Sequence, residues 1–135
     1  MKEITLEASL DNLNKALAFI DENLEEAECG MKAQMQIDVA VEEIFVNIAS
    51  YAYAPGRGSA TLRLELKEEP RSAVITFLDR GIPYDPLQKN DPDVSLPAEE
   101  RKIGGLGIFM VKKSMDEMHY EYRDGQNILT IVKNL

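Results

Sequence analysis

A chain of 135 residues with 44% apolar content is long enough to bury one sizeable core and too short for two, so a single domain over residues 1–135 is expected. A net charge of −9 excludes a binder of the nucleic-acid backbone, which needs clustered Lys and Arg, and leaves basic or apolar partners. The lone Cys29 excludes an internal disulfide and has no companions for a zinc site, while no run approaches the ~18–20 apolar residues of a membrane span and no signal core opens the chain; a cytoplasmic protein is expected.

In chain order, Ile4, Leu6 and Ala8 alternate with Glu3, Thr5 and Glu7, which predicts a half-buried strand. Ser9 can cap a helix whose stripe is Leu10, Leu13, Leu17, Ile20 and Leu24, ending near Cys29–Gly30. A second helix, from about Lys32 to Ala54, carries two stripes. Ile37, Val41, Ile44, Ile48 and Tyr51 form a core stripe; Ala40, Glu43, Asn47 and Ser50 form a small, polar one beside it. Glu43 and Asn47 stand one turn apart, either as the floor of a site or as an ordinary solvent-facing pair.

Pro55–Gly56–Arg57–Gly58 breaks the helix, and Leu62, Leu64 and Leu66 then alternate with Arg63, Glu65 and Lys67 in a strand with one wet face. After a turn at Glu69–Pro70–Arg71, the run Ala73 to Leu78 is almost wholly apolar and predicts a central strand buried on both sides. It ends at Asp79–Arg80–Gly81. An acid there either opens a site or closes a turn on its own backbone. From Ile82 to Ile103 four prolines and little periodicity predict a lid.

Gly104, Gly105 and Gly107, with Leu106 between them, run into a helical pattern. Glycines let a backbone approach an anion, and the helix that follows offers unpaired N–H groups, so the stretch reads as a phosphate cradle or as a tight turn. It is neither a P-loop nor a dinucleotide fingerprint, because no Gly-Lys-Ser/Thr follows and Met110 stands where a third small residue is needed. Ile108, Val111, Met115 and Met118 make the stripe of a third helix, with His119 at its end as a dipole partner or plain surface residue. Tyr120 and Tyr122 then alternate with Glu121 and Arg123, Asp124–Gly125 makes a hairpin turn, and Asn127 to Val132 closes the sheet. The order strand, helix, helix, strand, strand, lid, helix, strand, strand predicts a two-layer α/β (α+β) sandwich with a mixed, mainly antiparallel sheet and helices on one face.

Three pieces stand in a fixed order: Glu43-Ile-Phe-Val-Asn47, Asp79-Arg-Gly81-Ile-Pro83-Tyr-Asp85-Pro86, and Gly104-Gly105-Leu106-Gly107-Ile. Together they resemble the Bergerat-fold ATPase superfamily of gyrase, the ninety-kilodalton heat-shock chaperones and sensor histidine kinases. Within it the compact build, Tyr51-Ala-Tyr53 and the Gly-Gly-Leu-Gly-Ile-Phe-Met-Val run resemble the bacterial anti-sigma-factor serine kinases. The resemblance implies that ATP and Mg²⁺ are bound and that Asn47 is the metal ligand, its amide oxygen suiting a hard cation. Glu43 is implied as general base and Asp79 as the acceptor for the exocyclic amine of adenine, with Gly81 leaving room for the base. Gly104, Gly105, Leu106 and Gly107 are implied to bind the phosphates. A threonine soon after the glycine preceding the last strand is implied to touch adenine; here Gln126 and Asn127 follow Gly125, and the threonine comes at Thr130. Arg80, Arg101 and Lys102 are the candidate cations for the γ-phosphate.

The activity implied is ATP-dependent phosphorylation of a serine on an anti-anti-sigma protein by a factor that also binds a sigma factor. The partners are proteins rather than nucleic acid or membrane, and a homodimer is left open. A second reading is a binding module of the same fold that uses ATP to hold a partner without phosphotransfer; a third, a detached histidine-kinase domain, is disfavoured by the lack of a helix pair bearing a phosphoacceptor histidine.

Overall fold

A computed structural model describes residues 1–54, 56–88 and 105–135. Among these residues five strands, β1 (Lys2–Glu7), β2 (Ser59–Glu68), β3 (Arg71–Asp79), β4 (Glu117–Arg123) and β5 (Gln126–Asn134), form one sheet in the order β1-β2-β3-β5-β4. Every ladder is antiparallel, the limiting case of the pairing expected. Among the described residues three helices, α1 (Leu13–Glu26), α2 (Met31–Asn47) and α3 (Gly105–Ser114), complete the two-layer α/β fold. Among the described residues no helix is long and apolar enough to cross a membrane.

The period of two in the strands sets the core. Ala60, Leu62 and Leu64 of β2, Ala73, Ile75 and Phe77 of β3, and Leu129 and Ile131 of β5 are buried in one cluster with the helices. The far face of β3 is covered less completely than the apolar run implied. Val74 and Thr76 are only half-buried there, because their cross-strand neighbours are side chains such as Glu65, Arg63 and Thr130 rather than a second helical layer. Onto the core face α1 buries Ala16, Ile20 and Leu24, and α2 buries Ile37, Ala40, Val41, Ile44 and Phe45. Truncating either fully buried phenylalanine, Phe45 or Phe77, to alanine would cost about 3–5 kcal/mol in lost transfer energy and cavity.

Three local features depart from simple periodicity. Leu10 is exposed because the chain after Ser9 first makes a 3₁₀ turn, Leu10–Asn12, capped by the Ser9 hydroxyl, which accepts from the Asp11 N–H at 3.2 Å. α1 then closes on Glu28 in the left-handed region, φ 58°, with the Cys29 N–H bonded back to the Leu24 carbonyl and the Glu28 N–H to that of Glu25.

Beyond Asn47, α2 continues as a π-helical turn, Ile48–Ala52. The wider winding breaks the 3.6-residue register, so Tyr51, expected in the core stripe, is exposed and Ile48 only half-buried.

Past α3 the chain turns into the sheet sooner than the methionine spacing suggested. α3 stops at Ser114, the Asp116 N–H bonds to the Val132 carbonyl, and Met118 reaches the core from β4. His119 is therefore an exposed strand residue beside Glu117, not a helix terminus. Asp124 and Gly125, at φ 54° and 77°, make the tight β4–β5 hairpin the Asp-Gly pair predicts.

Candidate functional site

One cavity of about 620 Å³, measured out to its open mouth, lies between the end of α2, the end of β3 and the start of α3. Its walls are mainly apolar, with Ile44, Ile48, Phe77, Ile82, Ile108 and Leu129 among them, and its polar groups are few: Asn47, Asp79, Asn127 and three tyrosines, Tyr51, Tyr84 and Tyr120. An apolar slot with a few convergent polar groups suits a flat heterocycle.

Asp79 sits at the C-terminal end of β3 and is 7% exposed. Its Oδ1 accepts from the Gly81 N–H and from Asn127 Nδ2, both at 2.9 Å. No donor among the described residues reaches Oδ2, which is left for a ligand. The loop beyond Asp79 is pinned to the end of α2 at two points. The Ile82 N–H donates to the Ala52 carbonyl at 2.9 Å, and the Arg80 N–H donates to the Tyr53 hydroxyl at 2.7 Å, which itself donates to the Ser59 carbonyl. That accounts for Gly81: a Cβ there would collide with the Ala52 backbone, so the residue lets the π-helical turn approach the strand end.

Asn47 lines the same cavity from the last turn of α2, half-buried. No side chain among the described residues bonds its carboxamide, and no cluster of three His, Cys, Asp or Glu that could hold a metal occurs among them. These residues fit a cation delivered by phosphate oxygens and completed by one amide oxygen, the ligation Mg²⁺ accepts, and would not build a cage for a free ion.

Glu43, one turn back on α2, is half-buried, and its carboxylate packs against the first turn of α3 where a Cβ on Gly107 would overlap it. Burial raises the Glu43 pKa, helped by the neighbouring charge of Glu42. A half-buried carboxylate with a raised pKa against the start of a helix is suited to accept a proton. Gly105, Leu106 and Gly107 form the start of α3; Gly104 lies outside the described residues, as do residues 89–103 of the expected lid and the candidates Arg101 and Lys102. The described start of that segment is ordered by Asp85 Oδ1, which accepts from the Leu87 N–H at 2.8 Å.

Two sequence readings are corrected. Thr130 does not face the cavity: Asn127, Leu129 and Ile131 share the core face of β5, and the alternation sends Thr130 to the other face opposite Thr76. The residue beside Asp79 is Asn127, directly across the ladder, which the sequence reading passed over while looking for a hydroxyl; counting back by twos from buried Leu129 would have found it. Arg80 points its guanidinium toward Gly125 in the hairpin, at the Asp79 end of the cleft and not toward Glu43.

The profile of one family, described as Histidine kinase-like ATPase domain, matches residues 6–133. The chain belongs to that family. Among proteins similar to this histidine kinase-like ATPase domain, a serine/threonine-protein kinase, BtrW, from Bordetella bronchiseptica is 28% identical over 103 residues, 76% of this chain and 72% of the relative. A serine-protein kinase, RsbW, from Halalkalibacterium halodurans is 29% identical over 101 residues, 73% of this chain and 61% of that protein, so the match spans about three fifths of the RsbW relative. Of solved structures, one containing the RsbU and RsbW domains of a Mycobacterium tuberculosis protein superposes with a TM-score of 0.67 over all of this chain and 33% of its own, at 15% identity. A histidine kinase domain from Erythrobacter litoralis gives 0.54 over 76% of this chain and 45% of its own, at 20% identity. Both carry the fold alone.

Proposed function

We propose that this domain binds Mg²⁺-ATP in the α2–β3–α3 cleft and transfers the γ-phosphoryl group to a serine of a partner protein, an anti-anti-sigma factor, while also binding a sigma factor. The observation that carries the reading is the meeting, in one apolar cavity, of the buried Asp79 carboxylate, one oxygen of which no described residue engages, and the Asn47 carboxamide, which no described side chain bonds, with Glu43 one turn away. The relatives named as serine-protein kinases support it, as does the acidic surface, which favours protein partners over nucleic acid.

In this reading Asp79 Oδ2 accepts from the adenine amine and selects against guanine, which presents a carbonyl there. Ile48, Ile82 and Leu129 wall the flat base and exclude water. Asn47 donates its amide oxygen to the cation, and the first turn of α3 turns its N–H groups toward the phosphates. Mg²⁺-ATP supplies the phosphoryl group and the charge that screens it. Glu43 accepts the proton of the attacking serine hydroxyl, for which its raised pKa suits it.

Incubation with ATP labelled in the γ position, Mg²⁺ and candidate anti-anti-sigma proteins tests the proposal. Label on a serine of one of them is the expected result. ATP that tightens partner binding with no label transferred would replace the kinase by a binding module of the same fold.

A further inference from the structure

Asn127 is 6% exposed, and all its side-chain hydrogen-bonding atoms are engaged. Its Nδ2 donates to Asp79 Oδ1 at 2.9 Å, to the Ile82 carbonyl at 2.9 Å and, at a longer 3.5 Å, to the Gly81 carbonyl. Its Oδ1 accepts from the Tyr84 N–H at 3.1 Å and from the Tyr120 hydroxyl. Each partner fixes the amide the same way round: acceptors surround the nitrogen and donors surround the oxygen, so a flipped amide would set oxygen against a carboxylate and two carbonyls. Burial holds the Tyr120 pKa up, which keeps its hydroxyl a donor.

A side chain this saturated has nothing left to offer a ligand. What it does is hold one oxygen of Asp79, and with Gly81 it fixes that carboxylate in a single orientation whose other oxygen no described residue engages. It also ties the loop at Ile82 and Tyr84, which form part of the cavity wall, to the same point. We infer that Asn127 is the positioning residue for base selection: it does not touch the nucleotide, and it sets purine specificity by locking the Asp79 carboxylate with Oδ2 toward the 6-amino group. The inference rests on the adenine-site reading above.

The test compares the affinity of the full chain for ATP and for purine riboside triphosphate, which lacks the exocyclic amine, at saturating Mg²⁺. The wild type is expected to prefer ATP by about tenfold or more, the worth of one charge-assisted hydrogen bond. Asn127→Asp is isosteric and keeps an oxygen for Tyr84 and Tyr120, yet sets a carboxylate against Asp79. Its preference for ATP should collapse to less than about threefold near pH 8 and return as the pH falls toward ~5.5, where a proton bridging the two carboxyls replaces the lost N–H. Affinity for purine riboside triphosphate should change by less than about threefold throughout, since uniform loss of binding is what a merely structural residue would produce.

Tyr120→Phe removes one of the two donors that orient the amide and leaves the ring in place. It should lower the preference by roughly two- to fivefold, and it decides the matter if Asn127→Asp does not fold. Retention of the wild-type ATP preference by whichever of the two variants is read, or an equal fall for both nucleotides, overturns the role given to Asn127. A wild type that binds neither nucleotide overturns instead the reading beneath it, and that is seen before any variant is made.

Discussion

Replacing Asp79 by asparagine changes one atom in kind and nothing in size, and the structure dictates how the new amide must sit. Two donors at 2.9 Å, the Gly81 N–H and Asn127 Nδ2, occupy Oδ1. The oxygen of the introduced amide must take that place, because its NH₂ there would face two donors in a site that is 7% exposed. The NH₂ then replaces Oδ2 and confronts the adenine amine, donor against donor. The loss is a charge-assisted hydrogen bond, about 1.5–3 kcal/mol, or about 10–150-fold in affinity. GTP, whose carbonyl would now meet a donor, should lose less, so the ratio of ATP to GTP affinity should fall more steeply than ATP affinity in a control variant outside the cleft. Calorimetric titration of both nucleotides into wild type and Asp79→Asn, with the fold checked by circular dichroism, reads the effect. An ATP affinity within threefold of wild type would refute the assignment of Oδ2 to the base.

Other consequences can be checked alongside it. Glu43→Gln should bind ATP within about threefold of wild type and lose roughly 10²–10⁴-fold in phosphotransfer, and wild-type transfer should rise with pH through a midpoint above the ordinary carboxylate range, because burial raises the Glu43 pKa. Asp38, on α2, has its pKa raised from 3.8 to about 7 by burial, by the hydrogen bond its protonated carboxyl donates to Asp21 and by the charges of Asp21 and Glu25, and among the described residues its buried Oδ1 has no partner. The folded state thus holds a proton that the unfolded chain has already released, so this contribution to stability is full below pH 3.8 and lost as pH rises to about 7. Asp38→Asn should therefore be more stable than wild type by on the order of 1 kcal/mol near pH 8, after solvent screening, and no more stable near pH 4, in urea titrations at the two pH values. Glu28→Gly should raise stability by up to about 1 kcal/mol, since φ 58° suits glycine at the closing position of α1, and unfolding midpoints measure it.

The architecture was legible because each layer announces itself by period: Leu62, Leu64 and Leu66 by twos, Ile37, Val41 and Ile44 by threes and fours, Asp124–Gly125 by the only backbone such a pair favours. Where the reading slipped, two periods overlapped or one changed. Met115 and Met118 are three apart, as in a helix, yet the helix has ended by then and Met118 is a strand residue. Tyr51 fell out of the core stripe at a π-helical turn that nothing in the composition of Ile48–Ala52 signals.

In the site, residue type and spacing left Glu43, Asn47 and Asp79 open, and only the order of the three motifs, with the family they resemble, singled them out; the partner of Asp79 had no such signal. Asn127 acts through a cross-strand pairing 48 residues away, and only the register distinguishes it from Thr130, three residues on. Likewise Gly81 was read as leaving room for the base and Gly107 as offering its N–H to the phosphates. What each side of the backbone meets in the folded chain is Ala52 and the Glu43 carboxylate, contacts that a linear reading does not contain.

The central claim is that the cleft is an adenine nucleotide site with Asp79 at the base and Asn47 at the cation. A crystal structure of the domain with Mg²⁺ and a non-hydrolysable ATP analogue tests it most directly. The account predicts the exocyclic amine within about 3 Å of Asp79 Oδ2, the Asn47 amide oxygen among the Mg²⁺ ligands at about 2.1 Å, and Asn127 unmoved and free of contact with the base. A nucleotide bound elsewhere on the chain, or bound in this cleft with its base turned away from Asp79, would contradict it.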